Sequence, residues 1–129
     1  MKGAVVLVPF PFTDFSATKL RPALVLHAIM MRLTAGPMRE NAGGIFIRNA
    51  YDVVVAFISS KVTAPTSRAD ILLLQEDSGF AASGLKVDSV IKLDKIATIM
   101  KKFIIGELGA LNKELRAAVN EKMREVYQI

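Results

Sequence analysis

Asp52-Val53-Val54-Val55-Ala56-Phe57-Ile58-Ser59-Ser60 is the stretch on which the fold turns. β-Branched and apolar residues fill it from Val53 to Ile58 with no proline or glycine among them, the signature of a central strand. Working upstream, Pro22 to Ile29 is almost wholly apolar, as a strand covered on both faces would be. Ala4 to Val8 is another apolar run, ended by Pro9, which has no N–H to donate to a ladder. Phe10 to Leu20 between them reads as a loop carrying Thr13, Asp14, Ser16, Thr18 and Lys19. Met30 to Gly44 is irregular, with turn signals at Gly36-Pro37 and Gly43-Gly44.

Downstream, Lys61 to Ala69 is a polar loop containing Pro65, and Ile71 to Leu74 is a fourth strand. Gly79 and Gly84 bracket a further connection. Ser89 to Leu93 alternates with period two, and Ala97 to Met100 and Phe103 to Leu108 continue the β character. The period then changes. Leu115, Ala118, Val119, Met123 and Val126 recur at spacings of three and four, and Asn112 is placed to cap the resulting amphipathic helix. Repeats, low-complexity tracts and linkers are absent from the sequence, so residues 1–129 are expected to form one domain. Many short strands with a single terminal helix predict a small, strongly bent barrel or sandwich.

Hydrophobic residues make up 52% of the chain and charged residues 22%, enough to bury a core. A mean hydropathy of +0.38 leaves apolar surface that favours an oligomer. Seventeen basic against twelve acidic residues give a formal charge of +5, which suits a polyanionic partner such as nucleic acid and equally suits simple solubility. With no cysteine, disulfides, thiolate metal sites and cysteine nucleophiles are excluded. The single histidine, His27, makes a histidine metal cluster unexpected; in phase with Val25 and Ile29, it reads as a packed, hydrogen-bonded side chain. Pro9, Pro11 and Asp14 interrupt what would otherwise resemble a signal peptide. No apolar stretch approaches the roughly 18 residues that span a bilayer, so a cytoplasmic protein is expected.

Three segments, taken together, resemble the MazF/PemK family of toxins from type II toxin–antitoxin systems. They are Gly3 to Asp14 with the following Lys19-Leu20-Arg21-Pro22-Ala23-Leu24-Val25-Leu26, then Asp52 to Ser60, then Gly84 to Ile99. The resemblance implies an SH3-like β-barrel of the MazF/PemK/CcdB kind with a C-terminal helix. It also implies a homodimer that cleaves single-stranded RNA without metal or other cofactor and is neutralised by a cognate antitoxin. The family's key arginine stands in an Arg-Pro step opening the second strand, which Arg21-Pro22 matches. Its catalytic threonine lies in an Ile-Thr step near the end of the third strand, where this chain has Ile58-Ser59. A polar residue of the first loop is also implicated, with Ser16 the nearest match and Thr18 one register away. The chain departs from the family pattern in three places: Ala4 replaces a common aspartate, Ser59 replaces threonine, and the connection from Met30 to Ala50 is longer.

The chemistry fits those residue types. Metal-free cleavage uses the ribose 2′-hydroxyl as nucleophile, so a site must remove that proton, protonate the leaving oxygen and stabilise charge on phosphorus. The planar donor fork of Arg21 suits phosphate oxygens. A guanidinium is a poor general base, and Asp14 is an alternative proton acceptor. A hydroxyl at Ser59 can donate to phosphate or orient the 2′-hydroxyl, although without threonine's β-methyl its rotamer is less fixed, which should slow the reaction modestly. Thr13, Asp14, Thr18, Lys19, Lys61 and Arg68 are candidate RNA contacts; for the loop holding Lys61 and Arg68, simple solvation is an equal reading. Phe10 and Phe12 could stack on bases, although core packing competes for at least one of them. The competing function is a catalytically degenerate family member that only binds antitoxin or nucleic acid. A gyrase-poison relative is disfavoured, since those proteins rely on a tryptophan and this chain has none.

Overall fold

A computed structural model describes residues 1–10, 19–30, 51–62 and 67–129. Six strands, β1 (Ala4–Phe10), β2 (Lys19–Met30), β3 (Tyr51–Ser59), β4 (Asp70–Leu73), β5 (Ser89–Met100) and β6 (Gly106–Ala110), form one sheet in the order β4-β5-β3-β2-β1-β6. Every pairing is antiparallel. β4 and β6 are the two edges, so the sheet is a half-barrel open on one side. A short helix α1 (Phe80–Ser83), a 3-10 turn at Lys101–Phe103 and a long helix α2 (Lys113–Tyr127) complete the described elements. The class is the one expected: mainly β, SH3-like in its bent sheet, with a C-terminal helix.

Strand alternation sorts the apolar residues into two clusters. Val5, Leu24, Ala56, Ile58, Ile91 and Leu93 belong to one, which Leu115, Val119, Met123 and Val126 of α2 cover. Ala4, Val6, Val8, Ala23, Val25, Val53, Val55 and Ile99 form the other, joined by Phe103 and Ile104. Neighbouring residues of β1 and β2 thus point to opposite faces, both of which are buried at mid-strand. Ala4, where the family commonly has aspartate, is 5% exposed, so a carboxylate there would need a buried partner.

Asn112 caps α2, its side-chain oxygen accepting the Leu115 N–H at 2.8 Å. Gly84 ends α1 in the left-handed conformation (φ 77°), where an added Cβ would sit 2.1 Å from the Leu108 carbonyl oxygen. Gly84→Ala is therefore expected to cost more than about 2 kcal/mol from backbone strain and the clash combined. Urea denaturation checks this, and an unchanged midpoint would show that the α1–β6 contact yields.

Several boundaries and exposures differ from the sequence reading. Phe10, Lys19 and Leu20 extend the strands instead of belonging to the loop. Ser89 to Leu93 and Ala97 to Met100 are parts of the single strand β5. The Gly79–Gly84 connection folds into α1, and of Phe103 to Leu108 only Gly106 to Leu108 lie in a strand, β6, with Phe103 ending the 3-10 turn. His27 is exposed, not packed, because the β2–β3 register shifts between Val25 and His27 and breaks the alternation that linked them. Ala118 is exposed although its spacing placed it in the helix stripe. Pro22 to Ile29 is covered on both faces only at its centre, with Ile29 43% exposed.

Candidate active site

Three backbone events coincide at one end of the sheet. The β2–β3 pairing stops at Ala23–Phe57. Pro22 follows with no N–H to continue a ladder, so the register that would bring Arg21 opposite Ser59 opens as a fork. On the other side of β3, consecutive Ala56 and Phe57 pair with Ile96 and Lys92 of β5. Leu93, Asp94 and Lys95 are therefore left without β3 partners, in an enlarged bulge. Finally, β1 ends at Phe10, paired with Lys19, beyond the last residue that β6 reaches.

The splayed ends enclose a groove of about 540 Å³. Phe10, Arg21, Ser59, Lys61, Asp94 and Lys95 are among its lining residues. Three cationic side chains thus face one carboxylate, a balance that attracts phosphate. The Arg21 guanidinium lies 5.7 Å from the centre of the Phe10 ring, and Phe10 meets Phe57 edge-on at 5.5 Å. Cation–π contact with Phe10 holds the arginine over the groove without engaging its donors. Among the described residues Arg21 has no carboxylate partner. Ser59 Oγ accepts the Lys61 N–H at 3.1 Å, which leaves the hydroxyl's own proton to donate. Phe10 is 42% exposed.

A second depression of about 310 Å³, lined by Ser60, Lys86, Val87 and Leu108 among others, shares Arg21 with the groove. Arg21 thus lines both spaces.

The structure brings together Arg21, Ser59 and Lys61 of the expected site residues, with Lys19 at the start of β2, paired with Phe10. It places Arg68 elsewhere, in an exposed ion pair with Glu125 of α2 at 3.0 Å. Thr13, Asp14, Ser16 and Thr18, like Phe12 and all of the Met30 to Gly44 segment except Met30, which ends β2, lie outside the described residues. Asp94 and Lys95 were not singled out from the sequence. The available signal was the polar interruption between two apolar runs of what is one strand, which marks the bulge.

A bent antiparallel half-barrel backed by a C-terminal helix is also the fold of solved MazF toxins. The structure matches the Mycobacterium tuberculosis toxin MazF-mt6 with a TM-score of 0.60 at 19% identity, over 98% of this chain and 97% of that one. It matches an endoribonuclease from a mycobacterial species, solved with its cognate antitoxin, with a TM-score of 0.61 at 15% identity over 100% and 95% of the two chains. A Deinococcus radiodurans MazE–MazF structure gives a TM-score of 0.59 at 16% identity over 98% and 93%. No curated protein matches the chain in sequence. The family model for PemK-like, MazF-like toxins of type II toxin–antitoxin systems matches residues 44–127, and the chain belongs to that family. The matched stretch contains Ser59, Lys61, Asp94 and Lys95, while Arg21 precedes it.

Proposed function

We propose that the protein is a metal-independent endoribonuclease that cleaves single-stranded RNA in the Arg21–Ser59–Asp94 groove. The observation that carries this reading is the convergence, in a MazF-like chain, of a guanidinium, a donating hydroxyl and a carboxylate on one cationic groove. In the reaction the ribose O2′ attacks the adjacent phosphorus while its proton passes to the Asp94 carboxylate. The P–O2′ bond forms and the P–O5′ bond breaks, giving a 2′,3′-cyclic phosphate and a 5′-hydroxyl. The departing O5′ takes a proton from a groove ammonium or from water. Arg21 holds the nonbridging oxygens as their charge grows, and Ser59 donates to the same phosphate.

The other parts of the proposal follow the family. The chain acts as a single toxin domain over residues 1–129, in the cytoplasm, as a homodimer restrained by a cognate antitoxin. The mycobacterial and Deinococcus structures with antitoxins support such a partner. No helix of the described residues is long and apolar enough to cross a membrane. Ser16 or Thr18, with Thr13 and Asp14 from the first loop and Lys19 from the start of β2, would contact the RNA. The test is to incubate antitoxin-free protein with a long single-stranded RNA in EDTA and map both ends of each product. Site-selective cuts leaving cyclic phosphates are expected. Intact RNA would overturn the reading and leave a binding module on a toxin fold.

A further inference from the structure

The bulge that carries Asp94 needs an explanation of its own, because its backbone has lost its ladder. Leu93, Asp94 and Lys95 have no partner on β3, and the β4 pairing ends one residue earlier, at Asp70–Lys92. A segment so placed would ordinarily turn its free N–H and C=O groups to water and move. Here Leu93 is held on three sides. Its side chain is 0% exposed within the cluster under α2. Its N–H donates to the Ala69 carbonyl at 2.9 Å. Its C=O accepts the phenolic O–H of Tyr127, the last residue of α2. The tyrosine reaches across 34 residues of sequence to the peptide group that leads into Asp94.

We propose that Tyr127 is a positioning residue for Asp94: its O–H fixes the Leu93 carbonyl and thereby the direction in which the bulge presents the carboxylate to the groove. This rests on the ribonuclease reading for its catalytic consequence, though not for the anchor itself. The carbonyl of Leu93 and the nitrogen of Asp94 share one planar peptide unit. Holding that oxygen holds the plane from which the Asp94 side chain departs. Removing the anchor leaves the groove's charge and lining unchanged, so RNA binding should persist while the alignment of base and 2′-hydroxyl degrades.

The test compares Tyr127→Phe, Asp94→Asn and the double variant, with Glu125→Gln as control for disturbing the same helical turn. Steady-state cleavage is measured on a fluorogenic RNA oligonucleotide carrying the mapped cut site. Tyr127→Phe removes one oxygen and is expected to lower kcat on the order of tenfold with KM nearly constant, the consequence of a small misplacement. In the Asp94→Asn background the same change should have almost no further effect, since residues acting through one another are not additive. Glu125→Gln should remain close to wild type, because it touches only the exposed Arg68 pair. An equal loss from Tyr127→Phe in both backgrounds, a loss confined to KM, or no loss would overturn the proposal. Amide hydrogen exchange at Asp94 and Lys95 supplies a readout independent of activity. It should quicken in Tyr127→Phe, and unchanged exchange would show that the phenol anchors nothing. If the wild type cleaves no RNA, the ribonuclease reading falls and the exchange comparison alone decides the anchor.

Discussion

Arg21→Ala is expected to reduce kcat/KM for RNA cleavage by about 100- to 1,000-fold, the range seen when one preorganised donor to a developing oxyanion is removed. The expectation rests on where the arginine stands. It lies at the fork where β2 leaves β3, lines both depressions, and among the described residues is steadied by the Phe10 ring and not by a carboxylate. Its donors are therefore available to phosphate when RNA arrives. Arg21→Lys should recover little, because an ammonium keeps the charge and loses the bidentate fork. The fold should survive either change, since Arg21 is exposed and contributes to neither core cluster. Single-turnover cleavage beside circular dichroism checks both statements. Undiminished cleavage by Arg21→Ala would remove the arginine from the mechanism.

Asp94→Asn is expected to lower kcat by at least about 100-fold, the usual contribution of a positioned general base. The amide is nearly isosteric and cannot accept the 2′-hydroxyl proton at neutral pH. KM should change less than kcat, and loss of a negative charge from a groove that binds a polyanion should if anything tighten binding. The measurement is kcat and KM for both proteins. A variant with unaltered kcat would transfer the role to Asp14 or to another group. A large rise in KM with kcat retained would make Asp94 a base-reading residue instead.

Much of this protein was legible in residue pattern because its elements are locally consistent. The Val53 to Ile58 run is the centre of β3, and Asn112 caps α2 as its position before the amphipathic stripe required. Arg21 and Ser59 were singled out by resemblance, from opposite ends of their strands, and they line one groove. The misreadings fall where register breaks. His27 left the buried face because one extra residue entered β2, and β5 looked like two strands because its bulge is polar. A period-two argument assumes an unbroken pleat, and a single insertion reverses every face beyond it. Arg68 appeared to be one more cation of a basic loop, but α2 brings Glu125 to it across 57 residues of sequence.

What the sequence by itself determined is the set of elements and the chemistry available to them. Alternation, proline and glycine placement and the final helical stripe reflect short-range backbone physics, and composition removed thiol chemistry outright. The three-part resemblance added the family. Tertiary structure alone decided which groups share a space. Pro22 can end a ladder anywhere, but it opens a groove here because the β5 bulge lies directly across β3 from that fork. Asp94 faces Arg21's groove, and Tyr127 stands behind Asp94, through contacts between residues far apart in the chain. Such contacts depend on strand register and on how the helix is laid across the sheet, and these are set by the packing of the whole core.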